Sequence, residues 1–236
     1  MILFLLWQFS TQSDSLERLL ASDLQFHYLV ELNQLFLKER LFDSACVLLK
    51  KYADCFGIEE QAQINLLIGD NLFFQTELIR AREEYLKTVA KYPNARAAND
   101  ALERLHLFES VRNDTTTLKR FARAIYLYEI KDWESAQDSL KNLSRTGIGD
   151  YAWYYLALIY EKRGEYNQAL SALEQLIRDF PASRIHQTRL LVAEIYLKTG
   201  KKKEGVKILE ELVVKYPNLP VGIRAKERLK NLVQIQ

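Results

Sequence analysis

The chain has 236 residues, 48% of them hydrophobic, with only 8 glycines and 4 prolines, a composition that supplies a long buried core and leaves few residues for irregular loops. Its 33 basic and 31 acidic residues give a formal net charge of +2. This balance argues against a nucleic-acid partner, which would need a concentrated basic surface.

The first thirteen residues form a distinct segment, in which an apolar run over residues 1–7 is followed by small polar residues. We favour a signal peptide over residues 1–13, because Thr11 and Ser13 offer a cleavage site ahead of Asp14. This interpretation places the protein in the periplasm or the cell envelope. The alternative is a hydrophobic cap helix on the end of the fold, which is compatible with a cytoplasmic protein. The run is too short for a transmembrane helix, so we expect no membrane-spanning segment.

Two degenerate helical repeats and one further amphipathic helix are predicted next, and together they form an N-terminal block over residues 14–112. The first repeat keeps Phe36, Phe42, Ala45 and Leu49, and the second keeps Gly69, Leu72, Ala81, Tyr85 and Pro93. The extra helix is expected to end near Ser110.

A polar stretch over residues 112–117 leads into the C-terminal block, residues 113–236. Its Asp and Thr residues suit a hinge or a helix start, since both residue types cap the free amides of a following helix. The alternative is a rigid, continuous superhelix with a slightly long turn at this point.

The C-terminal block is predicted to hold three repeats and a terminal helix that ends near Val233. The clearest set of residues is Ala157, Tyr160, Gly164, Ala169 and Pro181, which recurs 36 residues later as Ala193, Tyr196, Gly200, Gly205 and Pro217. Two antiparallel helices of about a dozen residues with two short turns use roughly 34 residues, and such pairs bury their apolar faces only by stacking. Gly164 is expected to end the first helix in a left-handed conformation, and Pro181 to follow the second helix.

This pattern resembles the tetratricopeptide repeat. The match rests on Trp153, Leu156, Ala157, Tyr160, Gly164, Tyr166, Ala169, Leu173 and Pro181, which stand in the order and spacing of that family's consensus. The resemblance covers most of the chain from about residue 24. It implies an all-α, right-handed superhelical solenoid of antiparallel helix pairs, with about five repeats plus extra capping helices.

A longer echo links the two blocks. The segments Lys91-Tyr92-Pro93-Asn94 and Glu103-Arg104-Leu105 reappear 124 residues later as Lys215-Tyr216-Pro217-Asn218 and Glu227-Arg228-Leu229. Phe180-Pro181-Ala182-Ser183 and Tyr216-Pro217-Asn218, each opening another helix, are similar to the repeats of Gram-negative envelope proteins such as outer-membrane assembly factors and the periplasmic partner of the Tol-Pal system. That resemblance implies work in envelope assembly, secretion or cell-wall coordination.

The sequence predicts neither catalysis nor a cofactor. His27, His106 and His186 are far apart in the sequence and lack the spacing of a metal site. Cys46 and Cys55 are nine residues apart in one predicted helix, a separation that excludes a disulfide between them. We therefore expect a protein that is not an enzyme and that holds no metal.

The predicted function is a scaffold that binds a protein or peptide segment in a concave groove. In the tetratricopeptide family the first helix of each pair lines this face, and the matching positions here are Phe121, Ile125, Tyr128, Tyr151, Tyr154, Leu158, Glu161, Leu190 and Glu194. Exposed aromatic residues at this density are typical of a contact surface. Alternatively, several of them pack on the adjacent repeat or lie beneath the terminal helix.

A second hypothesis is a cytoplasmic adaptor of the co-chaperone type, which grips carboxylate-ended peptides with Lys, Arg and Asn at groove positions. The groove positions here are mostly aromatic, aliphatic or acidic, so we rank this hypothesis lower. The oligomeric state stays open, because the helix over residues 222–233 suits either a homodimer contact or a cap on the last repeat.

Overall fold

The computed structural model describes the backbone of residues 2–111 and 114–234, and the side chains of residues 12–111 and 114–232. Its regular structure over these residues is entirely helical, which confirms the predicted all-α class. The chain forms two compact units, Met1–Asp132 and Trp133–Gln236.

The first unit consists of two helix pairs and three further helices within the described residues. The helices are α1 (Ile2–Ser22), α2 (Phe26–Lys38), α3 (Phe42–Tyr52), α4 (Ile58–Phe74), α5 (Leu78–Lys91), α6 (Arg96–Val111) and α7 (Thr115–Glu129). The pairs are α2 with α3 and α4 with α5, as the two degenerate repeats predicted. Helix α6 is the predicted extra helix, and it packs on both α4 and α5.

The second unit also consists of consecutive helices. Its helices are α8 (Trp133–Leu143), α9 (Gly149–Lys162), α10 (Tyr166–Asp179), α11 (Gln187–Lys198), α12 (Lys202–Lys215) and α13 (Pro220–Gln234). The terminal helix α13 packs on α12 and α11. Its Val221 and Ala225 enter a core cluster with Ala193, Leu209 and Leu212, so α13 caps the last helix pair.

Among the described residues, five turns between successive helices share one backbone conformation. Each contains one residue with a positive φ, and these residues are Arg40, Thr76, Lys131, Gly164 and Gly200. In each turn the N–H of this residue donates to the carbonyl three residues earlier, and the next N–H donates to the carbonyl five residues earlier. This pair of bonds satisfies the free carbonyls at a helix end. The predicted left-handed glycines, Gly164 and Gly200, have φ values of 74° and 80°.

Helix α1 runs through the segment in which a signal peptide was predicted. The side chains of residues 1–11 lie outside the described residues, and the cleavage point predicted ahead of Asp14 falls inside the helix. Helix α1 packs against α2, and its Leu16 and Leu20 are buried. This packing is the arrangement expected of a cap helix.

The compact units do not coincide with the predicted blocks. Residues 112 and 113, where the predicted boundary falls, lie outside the described residues. Helix α7 begins directly afterwards with Asp114 as its N-cap, whose carboxylate accepts from Thr117 N–H at 3.0 Å, so the expected helix start is present. Helix α7 then joins the first unit, because Tyr126 packs edge-on against Phe42 and its hydroxyl donates to the Leu37 carbonyl at 3.0 Å.

The cysteines also differ from the expected arrangement. Cys46 lies in α3, but Cys55 lies in a separate 3₁₀ turn, Ala53–Cys55, rather than in the same helix. Both are free thiols, as predicted. Burial raises the pKa of the Cys46 thiol, which disfavours its reactive thiolate form.

Candidate functional site

The second unit contains a cavity of about 300 Å³ between α9, α11 and α13. It is lined by Tyr154, Leu158, Gln187, Leu190, Leu191, Glu194, Arg224, Glu227, Arg228 and Asn231. Four of the nine residues predicted to bind a partner are in this lining, namely Tyr154, Leu158, Leu190 and Glu194. The structure therefore brings these four residues together in one cavity, and their role in binding a partner stays a prediction.

Helical spacing positions these four side chains. Tyr154 and Leu158 are four residues apart on α9, and Leu190 and Glu194 are four apart on α11, so each pair projects from one face of its helix. Three of these four side chains, Tyr154, Leu158 and Leu190, are aromatic or aliphatic. Glu194 adds one carboxylate to the wall.

Helix α13 supplies the charged wall of the cavity, which the groove positions of the family did not predict. Arg224, Glu227, Arg228 and Asn231 recur at helical spacing along its cavity face, while Val221 and Ala225 hold the helix on the core. The amphipathic pattern of the α13 sequence could have indicated this charged face. The terminal helix therefore borders the cavity, in addition to capping the last repeat.

The predicted site residues Glu161 and Tyr151 do not line this cavity. Glu161 is buried and accepts a hydrogen bond from the Lys198 ammonium group of α11. This bond raises the pKa of Lys198 and neutralises the charge that Glu161 was expected to offer a partner. Tyr151 is half-buried.

The other three predicted residues belong to the first unit. Phe121 and Ile125 are each only 1% exposed, so in this structure neither presents a surface that a partner could contact. Tyr128 is half-buried. The family's consensus position placed these residues on an inward face, but it carried no information about what covers that face.

A second cavity of about 290 Å³ lies in the first unit, between α2, α4, α6 and α7. It is lined by Asn33, Gln34, Leu37, Gln63, Leu66, Leu67, Asp70, Asn71, Phe74, Asp100, Glu103, Arg104 and Glu129. Only four of these side chains are apolar. This cavity is therefore somewhat more polar than the cavity of the second unit. The sequence did not predict it, because the first two repeats are degenerate.

One carboxylate organises the wall of the cavity in the first unit. Asp70 Oδ1 accepts from the Tyr85 hydroxyl at 2.8 Å and from Arg104 Nε at 3.1 Å. Glu129 faces the same wall, and its pKa is raised first by burial and then by the Asp70 charge, with Arg104 opposing. The cavity therefore disfavours the negative charge of Glu129.

The two cavities occupy equivalent positions, related by the 124-residue echo. The displacement pairs Gln34, Gln63, Leu66, Leu67, Asp70, Asp100, Glu103 and Arg104 with Leu158, Gln187, Leu190, Leu191, Glu194, Arg224, Glu227 and Arg228. Helices α2, α4 and α6 thus correspond to α9, α11 and α13. The segments that recur 124 residues apart in the sequence therefore mark two versions of one site.

Within the described residues, no three His, Cys, Asp or Glu side chains form a group that could hold a metal ion. None of the described helices is both long enough and apolar enough to cross a lipid bilayer.

Comparison with known proteins identifies the two helix pairs that border the cavity of the second unit. Residues 151–183 and 187–219 match the family model of the tetratricopeptide repeat. Both segments are therefore similar to tetratricopeptide repeats. They comprise α9 with α10 and α11 with α12, so the cavity of the second unit lies against the first helix of each repeat. No curated protein matches the chain.

Several solved structures are similar to this chain at low sequence identity. The "TPR2AB-domain:pHSP90-complex of yeast Sti1" has a TM-score of 0.42 at 14% identity and covers 93% of this chain and 89% of its own. The P58(IPK) TPR domain has a TM-score of 0.40 at 15% identity, covering 98% of this chain and 62% of its own. A MamA protein has a TM-score of 0.38 at 18% identity, and the match covers 82% of this chain and 96% of the MamA chain.

Proposed function

We propose that this chain is a non-enzymatic scaffold that holds a segment of a partner protein in the cavity of its second unit. The observation that carries the proposal is the position of this cavity between the first helices of two tetratricopeptide repeats. Tetratricopeptide repeats stack into arrays whose inner faces act as binding surfaces.

The composition of the cavity supports this role. Its lining combines Tyr154, Leu158 and Leu190 with charged side chains of both signs. An apolar centre with a polar rim is the usual anatomy of a protein interface. A tyrosine such as Tyr154 at the centre of such a patch contributes on the order of 2 kcal/mol to binding.

Site-specific photocrosslinking in the source cells tests the proposal. Leu158 is replaced by p-benzoylphenylalanine, and Val214, which is 81% exposed on α12 of the same unit, is replaced in a matched control. We expect a discrete crosslinked partner from position 158 that is lost when Tyr154→Ala is added. Equal crosslinking from both positions, or none from position 158, would contradict the proposal.

A location in the cell envelope, in the service of envelope assembly or secretion, is the finer form of this proposal. It rests on the apolar first residues and on the Phe180-Pro181 and Tyr216-Pro217 helix junctions. Cell fractionation of a C-terminally tagged chain, with and without residues 1–13, tests it. Periplasmic recovery of a product processed ahead of Asp14 supports the envelope role, whereas an unprocessed cytosolic protein opposes it.

A cytoplasmic adaptor for carboxylate-ended peptides is the alternative, and the structure adds one observation in its favour. Arg224, Arg228 and Asn231 of α13 line the cavity of the second unit, so the residue types that grip a carboxylate are present after all. A library of pentapeptides with free or amidated C-termini separates the two functions. Preferential enrichment of the free acids, lost in Arg228→Gln, favours the adaptor.

A further inference from the structure

A further cavity in the second unit, which we call the junction cavity, lies beside the connection between α10 and α11. Its volume is about 410 Å³, which is within the range of small-molecule sites in proteins. It shares no lining residue with the cavity between α9, α11 and α13. Most of its lining is apolar or aromatic and consists of Leu176, Ile177, Phe180, Pro181, Ile185 and Tyr216.

The connection beside the junction cavity is longer than its two counterparts. The α5–α6 and α12–α13 connections have four residues each, 92–95 and 216–219, and both begin with Tyr-Pro. The α10–α11 connection begins with Phe180-Pro181 but has seven residues, 180–186. The longer connection supplies Ile185 and His186, both of which line the cavity.

The helix that follows this connection also begins differently. The third residue of α6 is Ala98 and that of α13 is Gly222, and both are buried. A Cβ atom on Gly222 would overlap the Tyr216 carbonyl oxygen, so α13 begins in direct contact with its connection. The third residue of α11 is Arg189, which lines the junction cavity. Where two junctions carry a small buried residue, this one therefore carries a large cation.

Hydrogen bonds and ring packing hold the longer connection in place. Ser183 Oγ donates to Asp150 of α9 at 2.7 Å and accepts from the Ile185 N–H at 3.3 Å. The His186 ring packs on the Tyr216 ring, with 4.9 Å between their centroids. The walls of the junction cavity are therefore already formed without a ligand.

The charge of the junction cavity is positive. Arg189 lines it, and none of the described residues in its lining is acidic. Arg189 Nη2 donates to Glu211, outside the lining, at 3.0 Å, and both side chains are about half exposed. A guanidinium group has five N–H donors, so this exposed ion pair leaves donors for a ligand. A ligand that complements the cavity combines an apolar body with a negative charge.

We propose that the junction cavity binds a small carboxylic acid with an aromatic or aliphatic body. The body packs against Ile177, Ile185 and the ring pair of His186 and Tyr216, and the carboxylate accepts hydrogen bonds from the Arg189 guanidinium group. Glu211 competes with the ligand for this guanidinium group. The site does not depend on the binding of a partner segment between α9, α11 and α13.

Titration of the full-length protein with 4-phenylbutanoate tests the proposal. The matched probe is 4-phenylbutanamide, which has nearly the same shape without the charge, and acetate lacks the apolar body. Binding is followed by NMR through the methyl signals of Ile177 and Ile185 and the ring signals of His186. We expect the acid to shift these signals and to bind about tenfold more tightly than the amide. Acetate is expected to leave them unchanged.

Variants at exposed positions locate the bound acid. Arg189→Gln is expected to weaken 4-phenylbutanoate about tenfold, because it removes the cation. Glu211→Gln is expected to strengthen binding, because it removes the competing carboxylate. Arg228→Gln, in the cavity between α9, α11 and α13, is the matched control and is expected to leave binding unchanged.

A matched pair at Ile177, which is 50% exposed, tests the apolar side of the cavity. Ile177→Glu and Ile177→Gln place side chains of nearly the same size there and differ in charge. We expect the Glu variant to bind the acid about tenfold more weakly than the Gln variant.

Equal affinity for the acid and the amide, or no binding of the acid up to its solubility limit, would overturn the proposal. So would unchanged binding in Arg189→Gln, or a loss of binding in Arg228→Gln alone, which would place the acid in the other cavity.

Discussion

Substitution of Thr76 by glycine is expected to stabilise the first unit. Thr76 lies in the turn between α4 and α5 with a φ of 66°, and a β-branched residue is strained in this left-handed region. A residue with a Cβ atom lowers the free energy of unfolding by about 1–2 kcal/mol in this region, whereas glycine lowers it by about 0.5–1 kcal/mol through its greater freedom in the unfolded chain. Thr76→Gly is therefore expected to increase the free energy of unfolding by about 0.5–1 kcal/mol.

The same turn in the second unit provides the reverse experiment. Gly164 has a φ of 74°, and a Cβ atom placed on it would meet nothing within 4 Å. The cost of Gly164→Ala therefore comes from the backbone alone, and we expect a loss of about 1 kcal/mol. Arg40 is a poorer test position, because its guanidinium group lies 5.5 Å from the centre of the Tyr126 ring and its removal would change a second interaction.

Urea denaturation followed by circular dichroism measures both changes. Two compact units need not unfold in one step, so each transition is fitted separately. The slope of the free energy of unfolding against urea concentration must be the same in the variant and the parent protein. Lower stability of Thr76→Gly, or unchanged stability of Gly164→Ala, would refute the argument that φ alone sets these energies.

Three further substitutions test the packing and charges of the first unit. Gly69→Ala is expected to cost about 1–3 kcal/mol in urea denaturation, because the added Cβ would lie 2.6 Å from the Tyr85 ring. Tyr126→Phe removes the hydroxyl that bonds the Leu37 carbonyl, and we expect a loss of about 1 kcal/mol in the same assay. The raised pKa of Glu129 means that its contribution to stability is present below its unfolded pKa and is lost as the pH rises through its folded pKa. Glu129→Gln is therefore expected to be more stable than the parent protein at pH 7 but not at pH 4. The same difference in urea midpoint between the two proteins at both pH values would contradict this expectation.

The sequence predicted the helix pairs well because glycine and proline act locally. Gly164 and Gly200 mark two of the five turns by their own conformational freedom. Arg40, Thr76 and Lys131 adopt the same conformation without any such local preference. At these positions the packing of the two flanking helices imposes the turn. Only the spacing to the turn of a neighbouring repeat, 36 residues from Arg40 to Thr76 and 33 from Lys131 to Gly164, could have indicated it.

The site was only partly predictable, because a consensus position specifies the face of a helix and nothing about its neighbours. Tyr154 and Leu158 line a cavity, whereas Phe121 and Ile125 are buried. The charged residues of α6 and α13 lie in helices outside the repeat consensus. The 124-residue echo did contain Glu103-Arg104 and Glu227-Arg228, and the structure shows that both pairs line cavities.

One exchange of volume in the core of the first unit adds a hydrogen bond to a carboxylate that lines its cavity. Gly69 and Tyr85 in the first unit correspond to Ala193 and Leu209 in the second, and all four are buried. Glycine at position 69 lets the larger tyrosine ring pack directly against α4, whereas alanine is matched with the shorter leucine. Only the tyrosine carries a hydroxyl that reaches Asp70, so the same exchange that fills the core also anchors a carboxylate at the cavity wall. The packing of this helix pair and the placement of the Asp70 carboxylate are therefore coupled through Gly69 and Tyr85.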